Sequence, residues 1–131
     1  MQLKASRPRL TLPDREFGGR GGDHMSEELQ VLAPHGRLDS ESSPELARQA
    51  KEMIGRGGRR LLLDLKDLVY ISSAGLRAVL VAAAEMTAAG GKLAIASPSP
   101  QVAEVFDISG FISVVDMHAT AEAATAELLK D

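Results

Sequence analysis

The stretch from Leu61 to Leu80 constrains this chain more than any other. It reads Leu61-Leu62-Leu63-Asp64-Leu65, then Lys66 to Ile71, then Ser72-Ser73-Ala74-Gly75-Leu76-Arg77, and runs on into Ala78-Val79-Leu80. A nearly continuous leucine run suits a strand buried on both faces, as parallel strands covered by helices are. A short connector follows, and then a helix that starts on paired serines. A helix start leaves backbone N–H groups without partners and carries the positive end of the macrodipole. A hydroxyl there is well sited to carry or meet a phosphate. A strand that delivers a serine to a helix start is either a capped turn or a switch.

The remaining elements follow from patterning. Met1–Ala5 alternates apolar and polar residues, as a short edge strand would. Arg7–Asp23 collects glycine, proline and charge around Gly18-Gly19-Arg20-Gly21-Gly22, a composition that argues for a flexible loop. Two readings stay open here: an opening strand with a long hairpin loop, or a tail before a domain that begins near Met25. Leu29–Ala33 reads as a strand ended by Pro34-His35-Gly36. Helix one is expected from Ser43 as N-cap, with Pro44 at its first position and Leu46, Ala50, Met53 and Ile54 on its buried face. Gly55-Arg56-Gly57-Gly58 stops it.

Arg60–Leu65 is the expected central strand. Helix two is expected from about Ser73 to Ala89, with Leu76, Val79, Leu80, Ala83 and Met86 on one face. Lys92–Ala96 is the next strand. Ser99 caps a short helix with Pro100 at its start, and Val102, Val105 and Phe106 point inward. Ile112–Val115 is the expected last strand, and Thr120 caps a final helix ending near Leu129. Alternating strands and helices imply an α/β sandwich with a mainly parallel interior.

Composition removes several function classes. The chain has 131 residues and a net charge of -3, so one domain is expected and no nucleic-acid footprint shows. There is no cysteine, which excludes disulfides, thiol catalysis and cysteine metal sites. His24, His35 and His118 have no helical ligand spacing, so no metal is expected. No apolar run is long enough to span a bilayer, and no signal peptide is expected at the start of the chain. A domain without cofactors is the expectation.

At the serine pair the sequence resembles the STAS domains, the family of the anti-sigma-factor antagonists and of the C-terminal domains of sulfate transporters. The resemblance lies in Leu63-Asp64-Leu65, in Val69-Tyr70-Ile71 and in Ser72-Ser73-Ala74-Gly75-Leu76. Gly36-Arg37-Leu38-Asp39 upstream fits the same family, as do Gly90-Gly91-Lys92-Leu93 and the run from Val105 to Phe111 downstream. These matches follow family order over roughly Leu29 to Leu129. The implied fold is a mixed, mainly parallel sheet of four to five strands with about four helices. It would occupy residues 26–131, after an N-terminal strand or flexible segment over residues 1–25. One departure stands out. Many antagonists carry an aspartate before the phosphorylated serine, and here that position is Ser72.

The resemblance implies a phosphorylation site at Ser73, with Ser72 the alternative acceptor or a small polar replacement for the family's aspartate. The plain reading of Ser73 is an N-cap worth about 1 kcal/mol. The Gly-Arg-Leu-Asp turn would lie near the phosphosite, so Asp39 could meet a partner; its plain reading is an Asx-type turn. Arg77, Ala78, Val81, Glu85 and Ala88 lie opposite the leucine stripe of helix two. That face is poor in charge, which suits docking by another protein, although alanine is also simply a good helix former. Asp39, Ser72, Ser73, Gly75, Arg77 and Val81 are therefore the candidate partner-binding residues.

Catalysis is not expected. Ser73 lies on a strand-to-helix turn, where hydrolase nucleophiles also sit, but the motif is not Gly-x-Ser-x-Gly. No histidine has a spacing that makes it a base for Ser73, and there is neither a P-loop nor a Gly-x-Gly-x-x-Gly. The resemblance implies a cytoplasmic anti-sigma-factor antagonist in a partner-switching circuit. Its partners would be an anti-sigma factor that is also a serine kinase, and a PP2C-type phosphatase. Neither direct nucleic-acid binding nor membrane insertion is expected. The alternatives are a STAS subunit of a membrane lipid or anion transport system, or a nucleotide-binding regulatory module.

Overall fold

The computed structural model describes residues 2–5, 29–111 and 115–130. Arg7–Asp23, expected to form a flexible loop, lies outside the described residues. The elements are β1 (Gln2–Ala5), β2 (Leu29–Leu38), α1 (Ser43–Gly55), β3 (Arg60–Asp64), β4 (Leu68–Ile71), α2 (Ser73–Ala88), β5 (Lys92–Ala96), α3 (Pro100–Ile108), β6 (Asp116–His118) and α4 (Ala121–Leu128). They form one sheet in the order β1-β2-β3-β5-β6, with β4 also paired to β2. Only β1 runs antiparallel, placing Leu3 opposite Pro34. β1 matches the opening strand offered by one of the two N-terminal readings.

The leucine run is explained by the pleat. Successive residues of a strand face opposite sides of the sheet. On β3, Leu61 and Leu63 enter a large core beneath α1, α2 and α3, while Leu62 enters a smaller core beneath α4. On β5, Leu93 and Ile95 take the first side, and Ala94 and Ala96 the second. Phe106, Met86, Leu46 and Val79 close the large core and are fully buried. Both faces of the sheet are covered, as parallel strands require.

Two expectations are corrected. The strand expected to end at Ala33 continues through Pro34 to Leu38. Pro34 lacks a donor, but the strand survives because its ladder changes partner around that point. Leu29–Leu32 pair with β3, and Gly36–Leu38 pair with β4 across a bulge between Gly36 and Arg37. Gly36 has φ +83, a left-handed conformation that glycine adopts without strain. The connector before the serines is itself a strand, β4, which brings the sheet to six strands. The last described strand, β6, lies just after the expected Ile112–Val115. Residues 112–114 lie outside the described residues, Val115 sits in a bend, and the ladder with β5 is made by Asp116–His118.

The capping pattern of the last two helices is as read from the sequence. Ser99 Oγ accepts the Val102 N–H at 3.2 Å, and Thr120 Oγ1 accepts the Ala123 N–H at 3.1 Å. No described helix is long and apolar enough to cross a membrane.

Candidate functional site

The site is built where β2, β4 and α2 meet. β4 ends at Ile71, paired with Leu38 of β2. The next N–H, of Ser72, donates to the Leu38 carbonyl at 2.9 Å, so the chain is still tied to β2 as it turns into α2. Gly75, on the first turn of α2, passes directly over that carbonyl. A Cβ at Gly75 would lie 2.4 Å from the Leu38 oxygen and 3.0 Å from Ile71 Cγ1. Real Cβ contacts essentially never come that close to backbone, so glycine here sets the approach of α2 to the sheet. Gly75 is buried, and its lack of a side chain lets α2 pack this close to the sheet.

The two serines divide the work of the helix start. The cap expected at Ser73 falls instead on Ser72. Ser72 is extended (φ -92, ψ 176), and its Oγ accepts the Gly75 N–H at 3.2 Å. Its carbonyl accepts the Leu76 N–H at 2.8 Å. Aspartate is as good an N-cap as serine, so Ser72 does here what the family's aspartate could do in the same place. Ser73 is the first residue of α2 and is exposed. Among the described residues nothing hydrogen-bonds its hydroxyl.

Ser73 opens onto a groove of about 500 Å³ between α1 and α2, lined by Ser43, Pro44, Ala47, Ser73, Ala74, Arg77, Ala78 and Val81. Arg77 alone among these described residues is charged. Val81, on the groove wall, is 44% exposed. Beyond Val81 a salt bridge spans the two helices, from Lys51 Nζ to Glu85 Oε2 at 3.0 Å. Three of the expected docking residues, Ser73, Arg77 and Val81, thus share one apolar-walled surface. The α1 side of the groove, from Ser43, Pro44 and Ala47, has no signal in the sequence, because helix pairing decides which residues of α1 face α2.

Asp39 is placed close by but is committed to its own turn. Its Oδ1 accepts the N–H groups of Glu41 and Ser42 at 3.1 and 3.2 Å, an Asx-type turn. Partial burial works to raise its carboxyl pKa. The hydrogen bonds from Ser42 and Glu41, helped by Arg37, outweigh that and hold it below 3.8. Arg37 Nε lies 3.6 Å from Asp39 Oδ2, and its guanidinium stacks 4.1 Å from the centre of the Tyr70 ring. That stack joins β2 to β4 and was not legible before the two were known to pair. Ser42 and not Ser43 precedes α1, and Ser42 Oγ accepts the Asp39 N–H at 2.9 Å instead of capping the helix. Among the described residues no group of three or more histidine, aspartate or glutamate side chains could hold a metal ion.

The family profile described as STAS domain matches residues 25–124. The chain belongs to the STAS domain family. It is 41% identical over 98 residues to a Bordetella bronchiseptica protein provisionally named anti-sigma factor antagonist BtrV; the match spans 75% of this chain and 84% of that one. The fold of this STAS domain is shared with a Thermotoga maritima protein provisionally described as an anti-sigma factor antagonist. The TM-score is 0.70 at 22% identity, over 76% of this chain and 88% of the other. It is also similar to the phosphorylated form of the Bacillus cell fate determinant SpoIIAA. Here the TM-score is 0.61 at 26% identity, over 77% of this chain and 91% of the other.

Proposed function

We propose that this STAS domain is an anti-sigma-factor antagonist whose docking surface is the groove between α1 and α2, switched by phosphorylation of Ser73. The observation that carries this reading is the division of labour between the serines. With Ser72 capping the helix, the Ser73 hydroxyl is exposed, unbonded and set at the mouth of an apolar groove. The named relatives supply the partner class, and one of them has been seen phosphorylated.

Unphosphorylated, the domain binds an anti-sigma factor in the cytoplasm and so frees the sigma factor. A serine kinase, the anti-sigma factor itself, transfers the γ-phosphoryl of ATP to Ser73 Oγ. The hydroxyl proton is lost and ADP leaves. Phosphate adds about -1.5 to -2 charges at neutral pH, which the helix start tolerates and an apolar contact does not. The partner is ejected, and a PP2C-type phosphatase resets the domain. The domain is substrate and ligand in this cycle and catalyses none of it.

The test is incubation with the cognate kinase and ATP, followed by mass spectrometry and binding titration. One phosphate is expected, on Ser73. Ser73→Ala should hold the kinase persistently, and Ser73→Asp should bind it weakly. Phosphate confined to Ser72 refutes the assignment to Ser73, and no phosphate with an active kinase refutes the switch.

A further inference from the structure

Arg77 follows Ser73 by four residues on α2, and both side chains line the groove. Residues four apart on a helix are surface neighbours. A helical side chain leans toward the helix N-terminus, so Arg77 covers the turn that holds Ser73 rather than the turn that holds Val81. Its neighbours three and four residues away are Ser73, Ala74, Leu80 and Val81, and only Ser73 among them carries a side-chain oxygen. Arg77 is exposed and makes no hydrogen bond or ion pair among the described residues.

The other described arginines are all engaged. Arg37 meets Asp39 and Tyr70, Arg48 meets Glu45 and Glu52, and Arg56 meets Glu52. Arg59 donates to the Ile54 and Gly58 carbonyls, and Arg60 to that of Leu128. Arg77 is thus the one described arginine kept without a partner, and it is the one charged residue among the described residues lining the groove.

We infer that Arg77 is the internal counter-charge for a phosphate on Ser73, folding back one turn to fork onto the phosphate oxygens. The inference rests on the reading of Ser73 as the modified residue and adds a regulatory role for Arg77. The order along the helix, anion first and cation four residues later, is the favourable one. A planar guanidinium can hold two phosphate oxygens at once. One modification then does two things to the docking surface. It introduces an anion, and it withdraws the one cation among the groove's described lining residues, which an acidic partner group could use. The phosphate is also held against the groove instead of swinging into solvent.

The experiment introduces phosphoserine at position 73 during translation, so that no kinase is needed, and follows its titration by phosphorus NMR. The arms are the unaltered chain, Arg77→Gln and Arg77→Lys. The second phosphate pKa, near 6 when free, should lie roughly 0.3–0.5 pH units lower with Arg77 present than with Arg77→Gln. Arg77→Lys should fall between, because lysine keeps the charge and loses the fork. The difference should shrink in about 1 M salt. The helix start lowers the pKa equally in all three, so the difference isolates residue 77. Melting of the unphosphorylated Arg77→Gln chain should be unchanged, which a purely structural role does not predict. Equal phosphate pKa values with and without the guanidinium overturn the inference. The cognate kinase leaving Ser73 unmodified would instead overturn the switch reading, whatever the titration shows.

Discussion

The Ser72 hydroxyl oxygen accepts the Gly75 backbone N–H at 3.2 Å, and this bond separates the structural serine from the exposed one. Replacing Ser72 by alanine orphans that N–H and should cost about 1 kcal/mol. For a domain of this size that is roughly 4 °C in melting temperature. Ser73→Ala removes no hydrogen bond among the described residues and should shift stability by less than about 0.5 kcal/mol. Thermal melts of the two variants check this. A larger loss at Ser73 than at Ser72 would reverse the assignment of roles.

Gly75→Ala should be far more damaging than its chemistry suggests. The added methyl would sit 2.4 Å from the Leu38 carbonyl oxygen, a backbone atom that cannot swing aside. Either α2 lifts from the sheet or β2 shifts. A cost of about 2–3 kcal/mol is expected, as for overpacking in a core. Urea unfolding measures it, and the same variant should loosen the cap at Ser72 in amide exchange. A midpoint within error of the parent would show that the helix start accommodates the methyl freely.

Val81→Glu tests the groove. Val81 is 44% exposed, so the substitution should leave folding intact. A carboxylate placed on an apolar wall must be desolvated when a partner docks. Affinity for the anti-sigma factor should fall more than tenfold, above about 1.4 kcal/mol. Titration calorimetry with the unphosphorylated domain decides it, and unchanged affinity would move the docking surface elsewhere.

Glu45, on the first turn of α1, should titrate anomalously. Hydrogen bonds from Arg48, then Gln49, lower its pKa from 4.5 to about 2 against a small opposing effect of burial. A folded-state pKa below the unfolded value means stabilisation above about pH 4.5 that fades as pH falls toward 2. The pair is exposed and screened by solvent, so the effect on unfolding is small while the titration itself is displaced. Carboxyl-carbon NMR should place the midpoint well below that of an ordinary glutamate. Arg48→Ala should bring it back up toward 4.5, with the Gln49 bond retaining part of the shift. A midpoint in the ordinary range with Arg48 intact would show that the pair does not persist in solution.

Much of the fold was determined locally. The period-two leucines of β3 dictate two cores, and the Ser99 and Thr120 caps mark where α3 and α4 begin, because hydroxyl-to-amide bonds act within three residues. The stripe of Leu76, Val79 and Met86 likewise sets which face of α2 is buried. What lay beyond the sequence depends on residues distant along the chain. β4 exists because β2 continues past Pro34 and offers it a ladder, and the sequence cannot tell such a pairing from a connector. The N-terminal boundary of α2 is decided by Leu38, whose carbonyl takes the Ser72 N–H and leaves room only for glycine at 75. That long-range contact makes Ser72 the cap and turns Ser73 outward. The groove itself appears only once α1 packs beside α2, since its walls are drawn from helices that no local rule brings together.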